Sequence, residues 1–141
     1  MEHDIIIIIY LFNMKWYIKF LRWIWEFPQC LLGLLLTLFY KVEYKETFKE
    51  IPIYAGDFPG GISLGLYILM SESYQKYNRN FTKEHEWGHT RQSLYLGPLY
   101  LFIIGLPSII WAALHSPYSK KSYYWFYTES WADKLGSIPK R

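Results

Sequence analysis

A chain of 141 residues is long enough for one domain and short for two. Hydrophobic residues make up 52%, aromatics 21% and charged residues only 19%. This excludes a highly solvated chain and suits a protein at a membrane interface, where Trp and Tyr rings settle. The net charge of +3, with no long basic stripe, argues against a nucleic-acid partner and fits an anionic lipid surface.

One cysteine, Cys30, rules out a disulfide framework; it lies in an apolar run and is expected to be inert. Residues 1–13 carry the run Ile5 to Ile9 behind the acids Glu2 and Asp4. They lack the basic start and small-residue cleavage site of a signal peptide, and the Ile run is too short to span a bilayer. The expectation is that Met14 is the true start and that 1–13 is translated upstream sequence.

From Met14 onward Lys15, Lys19, Arg22 and Glu26 recur at helical spacing among Trp16, Phe20, Trp23, Ile24, Trp25 and Phe27. This predicts an interfacial helix with a narrow charged stripe and a broad aromatic face. Pro28 breaks or restarts it, and the apolar run to Tyr40 follows, so 15–40 reads as interfacial or membrane helices.

Residues 42–70 predict a small antiparallel sheet. Val42 to Phe48 and Ile51 to Tyr54 form two strands. After the turn residues Gly56 to Gly61, the alternation of Ile62, Leu64, Leu66, Ile68 and Met70 predicts a third. A strand at the sheet edge either aligns an extended peptide by backbone pairing or only packs on the metal-binding helix. Ser71 to Asn80 is a polar connector whose Asn80-Phe81-Thr82 matches a glycosylation sequon, with no other sign of a secretory context.

A metal-binding helix is expected at 82–95, with Thr82 as its N-cap. It holds His85-Glu86-Trp87-Gly88-His89, an H-E-x-x-H match. Residues four apart lie about 40° apart around a helix, so His85 and His89 share a face and suit one Zn²⁺. Glu86 projects from the adjoining face, the general-base position of a metal-dependent hydrolase. Gly88 costs about 1 kcal/mol inside a helix, which a close approach of another backbone or of the metal site would justify.

Leu94 to Leu114 carries no charge and has the length of a membrane span. Beyond it, Glu129 is the candidate third ligand on a helix over 127–136. Asp133, one turn on, is placed to hydrogen-bond a ligating imidazole, and Thr128 to assist the helix start. A straight apolar helix would carry the chain about 30 Å from His89, yet Glu129 must reach the same metal at about 2 Å. The apolar segment must therefore fold back. Gly105-Leu106-Pro107 is the expected break, giving a hairpin of 97–105 and 107–115.

His85-Glu86-Trp87-Gly88-His89 reads as H-E-x-G-H and Glu129-Ser130-Trp131-Ala132-Asp133 as E-x-x-A-D. Together they resemble the integral-membrane gluzincins of the CAAX-prenyl-protease and heat-shock membrane-protease type. The resemblance covers about a dozen residues, and the chain has one broken apolar segment where such proteases usually place two membrane helices. It implies zinc held by His85, His89 and Glu129, Glu86 as base, Asp133 behind the ligands, and peptide-bond hydrolysis.

The resulting expectation is a single, mainly helical α+β domain with a minimal zincin-like core, bound to lipid and acting on a polypeptide. Tyr123, Tyr124, Tyr127 and His115 are the candidate oxyanion donors. The alternative is a non-catalytic membrane interaction protein that keeps a structural zinc.

Overall fold

The computed structural model describes residues 14–74 and 81–141. The expectations for residues 1–13, and for the connector up to Asn80, fall largely outside them. The described chain is α+β. Its helices are α1 (Trp16–Trp25), α2 (Phe27–Phe39), α3 (Thr82–Leu96), α4 (Leu106–Leu114) and α5 (Tyr127–Leu135). Its strands are β1 (Glu43–Phe48), β2 (Ile51–Gly56), β3 (Gly61–Leu64) and β4 (Tyr67–Ser71), in sheet order β1-β2-β4-β3.

The sheet is mixed rather than purely antiparallel. β1 pairs antiparallel with β2, and β3 with β4, but β2 and β4 run parallel, with Ile53 opposite Ile68 and Ala55 opposite Met70. The period-two run at 62–70 also divides. Gly65, at φ +64°, turns the chain beside Cys30, and two short strands replace one long one. The reason lies in Ile68-Leu69-Met70, where three consecutive residues are completely buried. Such a run belongs in the middle of a sheet covered on both faces. β4 therefore takes the centre, and β3, with Gly61 and Ser63, is left at the edge.

α2 and α3 pack on β3 and β4. Ile51, Ile53, Ala55, Ile68 and Met70 form the main core with Cys30 and Tyr74, while Leu64, Tyr100 and Ile104 form a smaller one. Burial pushes the Cys30 thiol up to about 11, in keeping with an inert side chain.

Pro28 restarts the helix, as it lies in the first turn of α2 where its missing N–H breaks no bond. Only part of the charged stripe of α1 faces outward. Arg22 is 7% exposed and Glu26 fully buried, whereas Trp16 is 78% exposed. The two charges form an i,i+4 pair and bind the back of α3, which compensates their desolvation.

The chain turns back at Gly97–Leu99 and not at Gly105–Pro107. Thr82–Leu99 and Leu101–Leu114 meet at 120°. Gly97 ends α3 at φ +52° against the Trp25 indole, and Pro98 cannot continue the helix. At Gly105 a π-helical turn, Leu101–Gly105, runs straight into α4, where Pro107 sits harmlessly in the first turn. Among the described residues no single helix is long and apolar enough to cross a membrane; this bent pair together has the length and composition.

Candidate metal centre

Seven residues of α3 are buried: His85, Glu86, Gly88, His89, Thr90, Gln92 and Ser93. Six have polar side chains, and each left unpaired would cost about 1–3 kcal/mol. The neighbours satisfy them. On the α1–α2 side Ser93 Oγ donates to Glu26 Oε1 at 2.6 Å, Gln29 Nε2 donates to Ser93 Oγ at 3.0 Å, and Arg22 Nη2 reaches Thr90 O at 3.4 Å. The other side meets α5 and β3.

Close packing brings α3 to α5. A Cβ on Gly88 would collide with the Ala132 carbonyl, and one on Gly136 with the Glu84 carbonyl. The close backbone approach expected of Gly88 is thus to α5. α3 begins after Phe81, a left-handed N-cap at φ 53° and ψ 39° with no capping side chain; Thr82 is already helical and is not the cap. A non-glycine residue there costs about 1–2 kcal/mol.

This packing brings three candidate ligands together. His85 and His89 lie one turn apart, with ring centroids 4.8 Å from each other. His85 Nε2 is 3.0 Å and His89 Nε2 3.4 Å from the same Glu129 oxygen, Oε2. The ligand atoms of this buried trio all lie within 4.8 Å of one another, so the group could hold a metal ion.

The surrounding bonds fit that role. His85 donates Nδ1–H to Asp133 Oδ1 at 2.6 Å, and His89 donates Nδ1–H to Gln92 Oε1 at 2.6 Å. Both rings therefore turn Nε2 toward Glu129. Gln92 is itself fixed, since its Nε2 donates to Thr128 O at 2.8 Å. Thr128 Oγ1 donates to the second Glu129 oxygen, Oε1, at 2.9 Å. Thr128 therefore orients the Glu129 carboxylate instead of capping α5, whose N-cap is Phe126. Arg141 grips Asp133 through Nε at 2.9 Å and Nη2 at 3.0 Å. Two imidazoles and a carboxylate, each oriented from behind, form a donor set suited to a borderline divalent cation.

The charges agree with the contacts. Burial opposes protonation of His85, but its hydrogen bonds to Asp133 and Glu129 raise its pKa to about 9. Burial would raise the Glu129 carboxyl, yet the hydrogen bonds from His85 and His89 hold it well below the usual range. Asp133 is likewise lowered, with His85 and Arg141 overcoming its desolvation.

Glu86 is 7% exposed and faces β3. Ser63 Oγ lies 2.8 Å from Glu86 Oε2 and 2.7 Å from Glu86 O, and Tyr100 donates to Ser63 O at 2.9 Å. A Cβ on Gly61 would lie 2.7 Å from Glu86 Oε1, so glycine keeps that space for the carboxylate.

Beside the trio opens a cavity of about 780 Å³, walled by Leu32 and Leu36 of α2, Leu101 before α4, and Ile109 of α4. Ligands and Glu86 line it together with Tyr123, Tyr124 and Arg141. Of the four candidate oxyanion donors, Tyr123 and Tyr124 face this space. Tyr127 does not: its hydroxyl donates to Ile103 O at 2.6 Å. Nor does His115, whose ring packs between Trp111 and Tyr123. Burial raises the pKa of both Tyr123 and Tyr124, so their phenols remain O–H donors at neutral pH.

Sequence reasoning missed Gln92, Ser63 and Arg141. Gln92 follows His89 by three residues, and that helical spacing was its one visible signal. Ser63 and Arg141 are 23 residues from Glu86 and 8 from Asp133 in the chain, with no local pattern to mark them. No protein-family model, no curated protein and no solved structure matches the chain.

Proposed function

We propose that the protein is a zinc-dependent peptide-bond hydrolase working at a membrane surface. One observation carries this reading: His85, His89 and Glu129 converge on one point, and Glu86 lines the same cavity. A structural zinc is usually enclosed by four protein ligands. Three groups at the wall of a large cavity favour catalysis over that alternative.

Zinc bound there would supply a Lewis acid for a substrate carbonyl and lower the pKa of a water toward neutrality. His85, His89 and Glu129 would hold the ion, while Asp133 and Gln92 keep the imidazole Nε2 atoms turned toward Glu129. Glu86, steadied by Ser63, takes a proton from the attacking water and returns it to the leaving amine nitrogen. The Tyr123 or Tyr124 hydroxyl donates to the oxygen on which charge develops. β3 is a sheet edge that lines the cavity, which suits an extended polypeptide lying beside it.

The membrane reading rests on exposed apolar surface. Trp16, Phe20, Leu21 and Ile24 of α1, Leu38 and Phe39 of α2, and Phe102, Ile109 and Leu114 around α4 are each more than half exposed. Soluble monomers rarely expose so much large apolar surface, and lipid contact accounts for it. Metal analysis of purified protein beside Glu129→Ala tests the site. Bound zinc lost in the variant supports it, and zinc content equal in both proteins rejects the ligand assignment.

A further inference from the structure

A second cavity, of about 360 Å³, lies behind α3, away from the metal ligands. Lys15 at the N-cap of α1 lines it with Tyr17 and Arg22 of that helix, the β1–β2 turn gives Lys49 and Glu50, and α3 gives Trp87 and Arg91. The charge of Arg22 is taken by Glu26. Lys15, Lys49 and Arg91 have no carboxylate within ion-pairing distance among the described residues. Glu50 is the one carboxylate in the lining, against four cations of which only Arg22 is paired with a carboxylate.

Lys15, Lys49 and Arg91 each lie near the face of an aromatic ring. Lys49 Nζ lies 4.4 Å and Arg91 Cζ 5.5 Å from the Trp87 ring, while Arg91 also lies 5.2 Å from the Tyr95 ring. Lys15 Nζ is 5.8 Å from the Tyr17 ring. A ring face fixes a cation without neutralising it. The cavity is thus a concave site lined by positive charge, with room for an anion that carries several acceptor oxygens and for part of what is attached to it. Beside it on α1, Tyr17 is 44% and Leu21 61% exposed. Apolar chains attached to such an anion would meet that surface.

We propose that this cavity is a phosphate-binding site, built from Lys15, Lys49 and Arg91 around Trp87. The group it takes is a phosphate ester or free phosphate, and the neighbouring apolar face of α1 favours an anionic phospholipid headgroup as its source. The site is independent of the metal centre and of the hydrolase reading.

The test uses the full chain and vesicles of phosphatidylcholine with and without phosphatidylglycerol. Inorganic phosphate is a second probe, read by thermal protection. The triple variant Lys15→Gln, Lys49→Gln, Arg91→Gln is compared with Lys120→Gln, Lys121→Gln, Lys140→Gln, which removes equal charge from side chains that do not line the cavity. Each cation near an anionic surface contributes about fivefold in affinity, so the cavity triple should lose on the order of a hundredfold on phosphatidylglycerol vesicles. The remote triple should lose far less.

Loss of phosphate protection with vesicle binding intact assigns the site to free phosphate. Equal loss in both triples, or no loss in the cavity triple with either probe, overturns the proposal. Should the triple misfold, Lys49→Gln alone carries the test, with a fivefold loss expected and none overturning it.

Discussion

His89 and Gln92 are bound through Nδ1 and Oε1 at 2.6 Å, and Gln92 passes the contact on to Thr128 O at 2.8 Å. One side chain on α3 thereby ties the second imidazole to the helix that carries Glu129. His85 has the equivalent support from Asp133 on α5. Gln92→Ala should therefore weaken metal binding 10- to 100-fold, the usual effect of removing such a partner, and Asp133→Asn should do the same. Competition with a chromophoric chelator measures it, and affinity within twofold of the parent would refute the role of either residue.

Gly88 and Ala132 set the distance between the two helices. A methyl group at Gly88 meets the Ala132 carbonyl, which is backbone and cannot swing aside. Gly88→Ala raises helix propensity by about 1 kcal/mol, but overpacking costs about 1–3 kcal/mol and moves Glu129 away from the imidazoles. The expected result is a lower melting temperature with metal affinity falling alongside it. A variant at least as stable as the parent with full metal affinity would show that the helices have room.

The protonation state of the site predicts its pH dependence. In the metal-free protein His85 titrates at about 9, above its ordinary 6.5. The raised value adds stability below pH 6.5 that is lost as pH rises through 9. Glu129 is lowered, so its contribution is present above its usual range near 4.5 and is lost as pH falls toward its folded value. Metal must displace the His85 proton but finds Glu129 already ionised. Apparent affinity should rise about tenfold per pH unit between 7 and 9 through His85, with about one proton released from it. Calorimetry in buffers of different ionisation enthalpy checks this; no proton release at pH 7 would contradict it.

The two motifs that define the site were legible because each is local. His85 and His89 are one turn apart, as are Glu129 and Asp133, and helical geometry places each pair on one face. That the chain must fold back between them was also legible, since a 2 Å ligand bond admits no other path. Where it folds was not. Gly97-Pro98 carries the same break chemistry as Gly105-Leu106-Pro107, and the decision came from Trp25 packing on Gly97 and from a π-turn absorbing Gly105, neither of which is written locally. The parallel β2–β4 pairing was hidden for a related reason: the period-two reading of 62–70 leaves Leu69 on the opposite face from Ile68 and Met70, and only the packing of α2 and α3 on the sheet buries all three.

Burial of Arg22 with Glu26 gives a prediction that involves no metal. The pair sits behind α3, with Glu26 fully buried and also accepting from Ser93. Arg22→Met leaves that carboxylate without its cation in a dry environment, which should cost about 3–5 kcal/mol. Replacing both charges, Arg22→Met with Glu26→Leu, should recover much of the loss because no uncompensated charge remains. Chemical denaturation of the three proteins measures both steps. If the single variant is as stable as the parent, the pair is only a surface contact.

Glu86→Gln separates the chemistry from the binding. Glutamine keeps the size of the side chain and an acceptor for Ser63, so zinc content and stability should match the parent. It cannot take up a proton, and removing a general base costs about 10²- to 10⁴-fold in rate. Cleavage of a peptide library should fall by that factor while chelator competition stays unchanged. Cleavage at the parent rate would remove Glu86 from the reaction, and loss of zinc would mean that its carboxylate supports the ligands rather than the chemistry.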